Sequence, residues 1–193
     1  MANELNLFRG KITGGGARPN QFKVSMSFPE IVTETLSGAK GELEYLCQAA
    51  SLPGMVIGEV TVPFRGRVLY LAGDRTFEAW TITVINDLDF LIRNSFEIWM
   101  DKINAMTDNS GLDLPSSYQS EAHIYQLNRS GLIVKTYTFT GLWPTTIGNI
   151  DVSAETNDAI ETFDVTLRYN YWTATKATGD NDPGVQHVAT TTS

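Results

Sequence analysis

From Thr162 to Tyr171 apolar and polar residues alternate without a break. Phe163, Val165, Leu167, Tyr169 and Tyr171 fall on one parity, and Thr162, Asp164, Thr166, Arg168 and Asn170 on the other. Side chains of a strand point alternately to its two faces, so this pattern demands one buried face and one wet face. The same period recurs through the chain. Phe22, Val24, Met26 and Phe28 alternate with Lys23, Ser25 and Ser27 before Pro29. Tyr45 and Cys47 alternate with Glu44 and Gln48, and Trp80, Ile82 and Val84 with Thr81 and Thr83. Shorter strands are predicted from Val56 to Val62, closed by Pro63, and from Val68 to Leu71, closed by Gly73-Asp74. Ser120–Leu127 and Leu132–Thr140 flank Asn128-Arg129-Ser130-Gly131 as a hairpin, with the second strand broken at Gly141-Leu142-Trp143-Pro144.

The period changes once. Leu88, Ile92, Phe96, Trp99 and Ile103 recur at three to four residues, broadened by Leu91 and Met106. A helix is predicted over about residues 87–106, capped by Asn86 or Asp87. Strands, one helix, then strands define a mainly β protein: a small antiparallel β-barrel or sandwich with one flanking α-helix. The ends differ. Residues 1–16 read as a flexible arm ending in Gly14-Gly15-Gly16, and Thr173–Ser193 as a low-complexity tail poor in apolar residues. The folded domain then spans residues 17–172.

Charge and composition exclude several functions. The formal charge is −8, which disfavours a surface for wrapping phosphates. No apolar run reaches the roughly 18 residues of a membrane span, so membrane insertion is not expected. The start shows no basic segment followed by an apolar core, as a secretory signal would. Cys47, the single cysteine, reads as a small buried hydrophobe. His123 and His187 have no second ligand at metal spacing. Asp151, Glu155, Asp158, Glu161 and Asp164 lack the glycine turn of an oxygen-ligand loop and read as a solvated acidic loop or a functional negative surface. Trp80 and Trp99 lie on apolar stripes and are core positions. No catalytic constellation is present, so neither an enzyme nor a cofactor is expected.

Three phrases carry more. Ala17-Arg18-Pro19-Asn20-Gln21-Phe22 opens the first core strand. Ala72-Gly73-Asp74-Arg75-Thr76-Phe77, followed by Trp80–Val84 and Asn86-Asp87, leads into the helix. Gly141-Leu142-Trp143-Pro144-Thr145 precedes Ile160–Leu167 and Tyr171-Trp172. In this order the chain resembles the tail tube proteins of T4-like contractile-tailed bacteriophages, over about residues 17–172. The resemblance implies hexameric rings that stack into a tube inside a contractile sheath, with the genome passing down the lumen. It implies the chain itself, the sheath, the baseplate, the tail terminator and genomic DNA as partners. It places the protein in the virion tail, assembled in the host cytoplasm. Six chains carry six times −8, or −48, and a negative wall lets DNA slide.

Candidate lumen residues are Thr162, Asp164, Thr166 and Arg168, the polar parity of the last strand, with an outer face under solvent or sheath as the alternative. A carboxylate on a neighbouring strand or subunit is expected to neutralise Arg168. Candidate assembly residues are Arg18, Asp74, Arg75 and Phe77 within the quoted phrases, Asp74 and Arg75 being read at a turn between two strands. Met55 and Phe64 join them, on a loop from Leu52 to Arg67 that either contacts stacked rings or folds back as core. Two other readings remain: the tube of a type VI or extracellular contractile injection system, and a monomeric β-barrel module for a small ligand or sugar.

Overall fold

In the computed structural model, which describes residues 2–12, 16–33, 39–155 and 158–176, the period-two stretches form nine strands. They are β1 (Phe22–Met26), β2 (Cys47–Ala50), β3 (Val56–Phe64), β4 (Arg67–Thr76), β5 (Trp80–Ile85), β6 (Ser120–Leu127), β7 (Ile133–Ile147), β8 (Thr162–Arg168) and β9 (Tyr171–Lys176). Helices are α1 (Ala2–Lys11), α2 (Glu30–Thr33), α3 (Ala39–Leu46), α4 (Leu91–Ile103) and α5 (Pro115–Tyr118). Seven strands share one antiparallel sheet in the order β1-β6-β7-β8-β5-β2, with β9 also on β7. The sheet curls until its end strands β1 and β2 approach, but they do not pair. The expected barrel is therefore an open roll, mainly β as predicted.

The long strand β7 makes the roll. Lys135–Thr140 lies between β6 and β9, and Trp143–Ile147 pairs with β8. The changeover falls at Gly141, with φ of 70°. Gly141 and Pro144 were expected to break the strand, and instead the glycine bends it and pairing continues through Pro144, opposite Leu167. Asn128 shapes the predicted hairpin between β6 and β7. Its Oδ1 accepts from the backbone N–H groups of Ser130 and Leu132, the side-chain mimicry that favours Asn in turns.

The core lies inside the roll. Trp80 stacks on Phe139 at 4.4 Å between ring centroids, with Ile82, Val84, Phe163, Val165 and Leu167 buried around them. Helix α4 covers one side with Ile92, Phe96 and Trp99, and Phe28 packs edge-on against the last two. Both core tryptophans satisfy their indole N–H, Trp80 to Ser51 O at 2.9 Å and Trp99 to Tyr118 O at 2.7 Å.

Several local expectations change. Helix α4 is shorter than residues 87–106, because Phe90 takes a left-handed φ of 54° and stops the helix N-terminally. Asp87 still caps it from outside, its Oδ2 accepting from Leu91 N at 3.1 Å. Leu88 and Met106, read as part of the stripe, are 99% and 81% exposed. Among the described residues four further helices accompany α4. The Tyr45/Cys47 alternation is helix up to Leu46: Leu43 is buried, whereas Tyr45 is 82% exposed. Within the expected flexible arm, Ala2–Lys11 is the helix α1, with Leu5, Leu7 and Phe8 exposed. Strand β9 carries pairing past Trp172 to Lys176, four residues into the predicted tail. Gly14, Gly15, His187 and residues 177–193 lie outside the described residues.

Candidate lumen face and assembly arm

The first candidate surface is the wet side of β8. Its odd residues Phe163, Val165 and Leu167 are buried, and Asp164 and Arg168 are exposed, as the alternation predicts. Antiparallel register sets the neighbours: Thr81 opposite Thr166, Thr83 opposite Asp164, Ile85 opposite Thr162. Directly opposed residues share a face, so β5 adds two threonines to this lane. Thr83 Oγ1 donates to Asp164 Oδ1 at 2.6 Å, the Thr81 and Thr166 hydroxyls lie 3.2 Å apart, and Thr145 Oγ1 donates to Thr166 O at 3.0 Å. These bonds hold the short polar side chains to one another and to the sheet, with Ile85 beside Thr162 as the lane's apolar member. Thr81 and Thr83 escaped the sequence reading because only register places them beside β8, and Thr145 because it sits at a register shift between Pro144 and Thr146 and reaches β8 through its hydroxyl.

Arg168 departs from expectation within its own chain. Its guanidinium donates to Phe77 O at 3.3 Å, and among the described residues no carboxylate lies within ion-pair distance of it. Phe77 itself packs its ring 5.9 Å from that of Tyr169. The two residues join the end of β8 to the segment that follows β4. Arg18 contributes its main chain: its carbonyl accepts from Gln126 Nε2 at 3.0 Å and from Gln21 N at 3.2 Å, fastening the entry of β1 to β6.

The second surface corrects the loop from Leu52 to Arg67. Most of it is β3, paired with β4 as a separate two-stranded arm. The turn is Arg65-Gly66, with φ of 45° and 81°, the positive pair that two-residue hairpins require. Asp74 and Arg75 lie within β4, not at a turn, with Arg75 opposite Ile57. Pairing shifts register between Ile57 and Glu59, where Gly73 and Gly58 cross. A Cβ on Gly73 would sit 3.1 Å from Gly58 O, so the crossing needs a residue without a side chain.

The arm's apolar side chains do not fold back as core. Val60 stands opposite Leu71 and Val62 opposite Leu69, with Phe64 at the tip opposite Arg67, so one face is a row of five apolar side chains. Their exposures run from 39% for Val62 to 68% for Phe64, and Met55 before β3 is 48% exposed. The signal was legible: two apolar-rich runs, Val56–Phe64 and Val68–Leu71, flank the short polar segment Arg65-Gly66-Arg67 with its central glycine.

Elsewhere the chemistry is quiet. Burial pushes the Cys47 thiol up to about 12, so it stays neutral, as a packed hydrophobe does. His123 Nδ1 lies 3.1 Å from Thr138 Oγ1. Among the described residues no three His, Cys, Asp or Glu side chains gather as a metal-binding group, the acidic stretch included.

These surfaces can be set beside known proteins. The sequence model for phage tail tube proteins matches residues 17–175. Tail tube protein gp19 of Enterobacteria phage T4 is 32% identical over 161 residues, covering 83% of this chain and 93% of that protein. The tail tube protein of Serratia phage KSP90 is 31% identical over 167 residues, covering 86% and 93%. Among solved structures, a chain of the anti-feeding prophage baseplate superposes with a TM-score of 0.62 at 14% identity, covering 84% of this chain and 97% of that one. A chain of the sheath–tube complex of an extracellular contractile injection system superposes with a TM-score of 0.54 at 15% identity, covering 86% and 97%. At such identities the likeness shows a shared fold. The family model spans nearly the whole folded region, β9 as far as Thr175 included, and the chain belongs to the phage tail tube protein family.

Proposed function

We propose that the protein is the structural subunit of a contractile phage tail tube, in which six copies close a ring and rings stack around a lumen that conducts the genome. The carrying observation is the β3–β4 arm, whose apolar face finds no cover among the described residues. A monomer exposing such a row invites association, and a tube buries it in every copy. The arm's length favours contacts beyond the ring to which its own chain belongs. Arg75 and Asp74, at the crossing of the two glycines, set the arm's direction. Ring closure also covers the edges of β1, β2 and β9 that are unpaired among the described residues, an aggregation hazard in a free chain.

The Thr81/Thr83/Thr162/Asp164/Thr166 lane is the proposed lumen wall. Hydroxyls held by neighbours offer DNA phosphates no cation, and Asp164 repels them. Arg168 sits at one end of the lane, where a carboxylate from an adjacent subunit would neutralise it. The role is structural, not catalytic, and the protein belongs in the virion tail after assembly in the host cytoplasm. Sheath, baseplate and terminator proteins are its further partners.

Mass photometry over a concentration series, followed by electron microscopy, tests this reading. Six-fold rings and hollow tubes are expected. A chain that remains monomeric at high concentration refutes it, and a ring with Thr162, Asp164 and Thr166 turned away from the six-fold axis refutes the lumen wall alone.

A further inference from the structure

The arm must dock somewhere, and its tip has a specific chemistry. Phe64 is 68% exposed, Arg65 lies over its ring at 5.3 Å, and Arg67 stands directly opposite. The tip is thus an aromatic knob flanked by two cations on a chain of net charge −8. Its complement is an apolar socket with carboxylate on its rim.

Such a socket lies elsewhere on the fold, away from β3 and β4 in its lining. The C-terminal turn of α4 and the second half of β7 enclose a groove of about 400 Å³. Met100, Ile103, Met106, Trp143 and Pro144 line it, with Asp101 on its rim. Asn104 and Thr145 complete the lining, and Met106 is 81% exposed. Methionine side chains adapt their shape and favour aromatic contact, which suits a socket for a ring. Asp101 accepts from Met106 N at 3.3 Å through Oδ1. Asp101 and its neighbour Lys102 also line a second hollow, with Ile31, Ala105 and Ser110. From Asp101 to Asp113 the sequence holds three carboxylates against that one lysine, so the region is negative where the tip is positive.

We infer that this groove receives the Phe64 tip of a second copy of the same chain, with Arg65 and Arg67 pairing to Asp101 on the rim. The inference rests on the assembly reading above and names the receiving surface. Knob and socket are different patches, so each copy offers one of each and the contact is head-to-tail. Such contacts propagate into rings or stacks instead of ending at a dimer. The arm enters with its register already fixed by β3–β4 pairing, which lowers the ordering cost of docking. Helix α1 is the rival occupant: its Phe8-Arg9-Gly10-Lys11 repeats the chemistry of Phe64-Arg65-Gly66-Arg67, and Phe8 is 61% exposed.

Site-directed cross-linking of the full-length chain decides between them. In a Cys47→Ala background, Phe64→Cys and Met106→Cys are combined, both at exposed positions that the fold tolerates. Mild oxidation of assembled tubes should give a ladder of linked chains, absent from either single variant. A matching pair, Phe8→Cys with Met106→Cys, should give none. Charge reversal gives a second readout. Asp101→Arg alone and Arg65→Asp/Arg67→Asp alone should each lose tubes with circular dichroism unchanged, and combining them should restore tubes. If Phe64→Asp abolishes tubes but the Phe64/Met106 ladder never forms in intact tubes, the arm remains an interface and the groove assignment is overturned. A ladder from Phe8 instead of Phe64 overturns it as well. Tubes that persist in Phe64→Asp, or a Cys47→Ala parent that stays monomeric, overturn both this inference and the reading beneath it.

Discussion

Substituting Gly141 by alanine should measure what the bend in β7 costs. Two separate effects act there. The first is backbone: Gly141 holds φ at 70°, and an L-residue in that region costs about 1–2 kcal/mol. The second is contact, because a Cβ at Gly141 would lie 2.2 Å from Asn170 Nδ2. Asn170 is exposed, so its side chain can swing away, giving up a long 3.5 Å bond to Gln119 Oε1. Losing that bond costs about 0.5–1 kcal/mol. The structure supplies its own control. Gly131 has φ of 76° with nothing within 4 Å of an added Cβ, so Gly131→Ala carries the backbone cost alone. Urea unfolding at concentrations where the chain is monomeric should therefore rank wild type, Gly131→Ala and Gly141→Ala in falling order. The last two should differ by about 0.5–1 kcal/mol. In an Asn170→Ala background, where that bond is already gone, the further cost of Gly141→Ala should fall to that of Gly131→Ala, as expected for residues in direct contact. A Gly141→Ala chain as stable as wild type would refute the claim that glycine makes the bend. Equal costs at Gly131 and Gly141 would refute the Asn170 contact.

Other perturbations report on other layers. Gly111→Ala should destabilise more than Gly141→Ala, because its Cβ would meet the Ile103 carbonyl oxygen at 2.0 Å and backbone cannot swing aside; thermal unfolding checks the order. Cys47 should make stability fall with rising pH. Its folded value is raised from 9.0 to about 12, so the unfolded chain releases a proton between those limits that the native chain keeps, and Cys47→Ala should remove that slope from pH-dependent urea midpoints. Asp164→Lys should leave tube assembly intact and slow genome ejection, since two cations with Arg168 then face the phosphates; wild-type ejection kinetics would remove Asp164 from the lumen. Arg75→Ala should abolish tubes while preserving circular dichroism, and normal tubes on electron microscopy would reduce Arg75 to a local strand residue.

Local alternation carried much of this protein into view. A strand's two faces are written into every second residue, so the buried row Phe163, Val165 and Leu167 and the wet row Thr162, Asp164 and Thr166 were readable before any fold was known. The α4 stripe Ile92, Phe96 and Trp99 was readable for the same reason at a period of 3.6. The quoted phrases carried the family. Tertiary structure decided the rest, because pattern tells that a side chain will be covered and not by what. The apolar row of β3 and β4 reads like core, yet the arm carries it away from the roll and leaves it for another surface. Gly141 looks like a strand end in sequence, and only pairing with β8 beyond it turns a break into a bend. Phe90 ends α4 early through a backbone angle that no apolar stripe encodes. Thr81 and Thr83 join Asp164 only because β5 pairs with β8 across some eighty intervening residues, a register set by the two strands' shared burial of Ile82 and Val165.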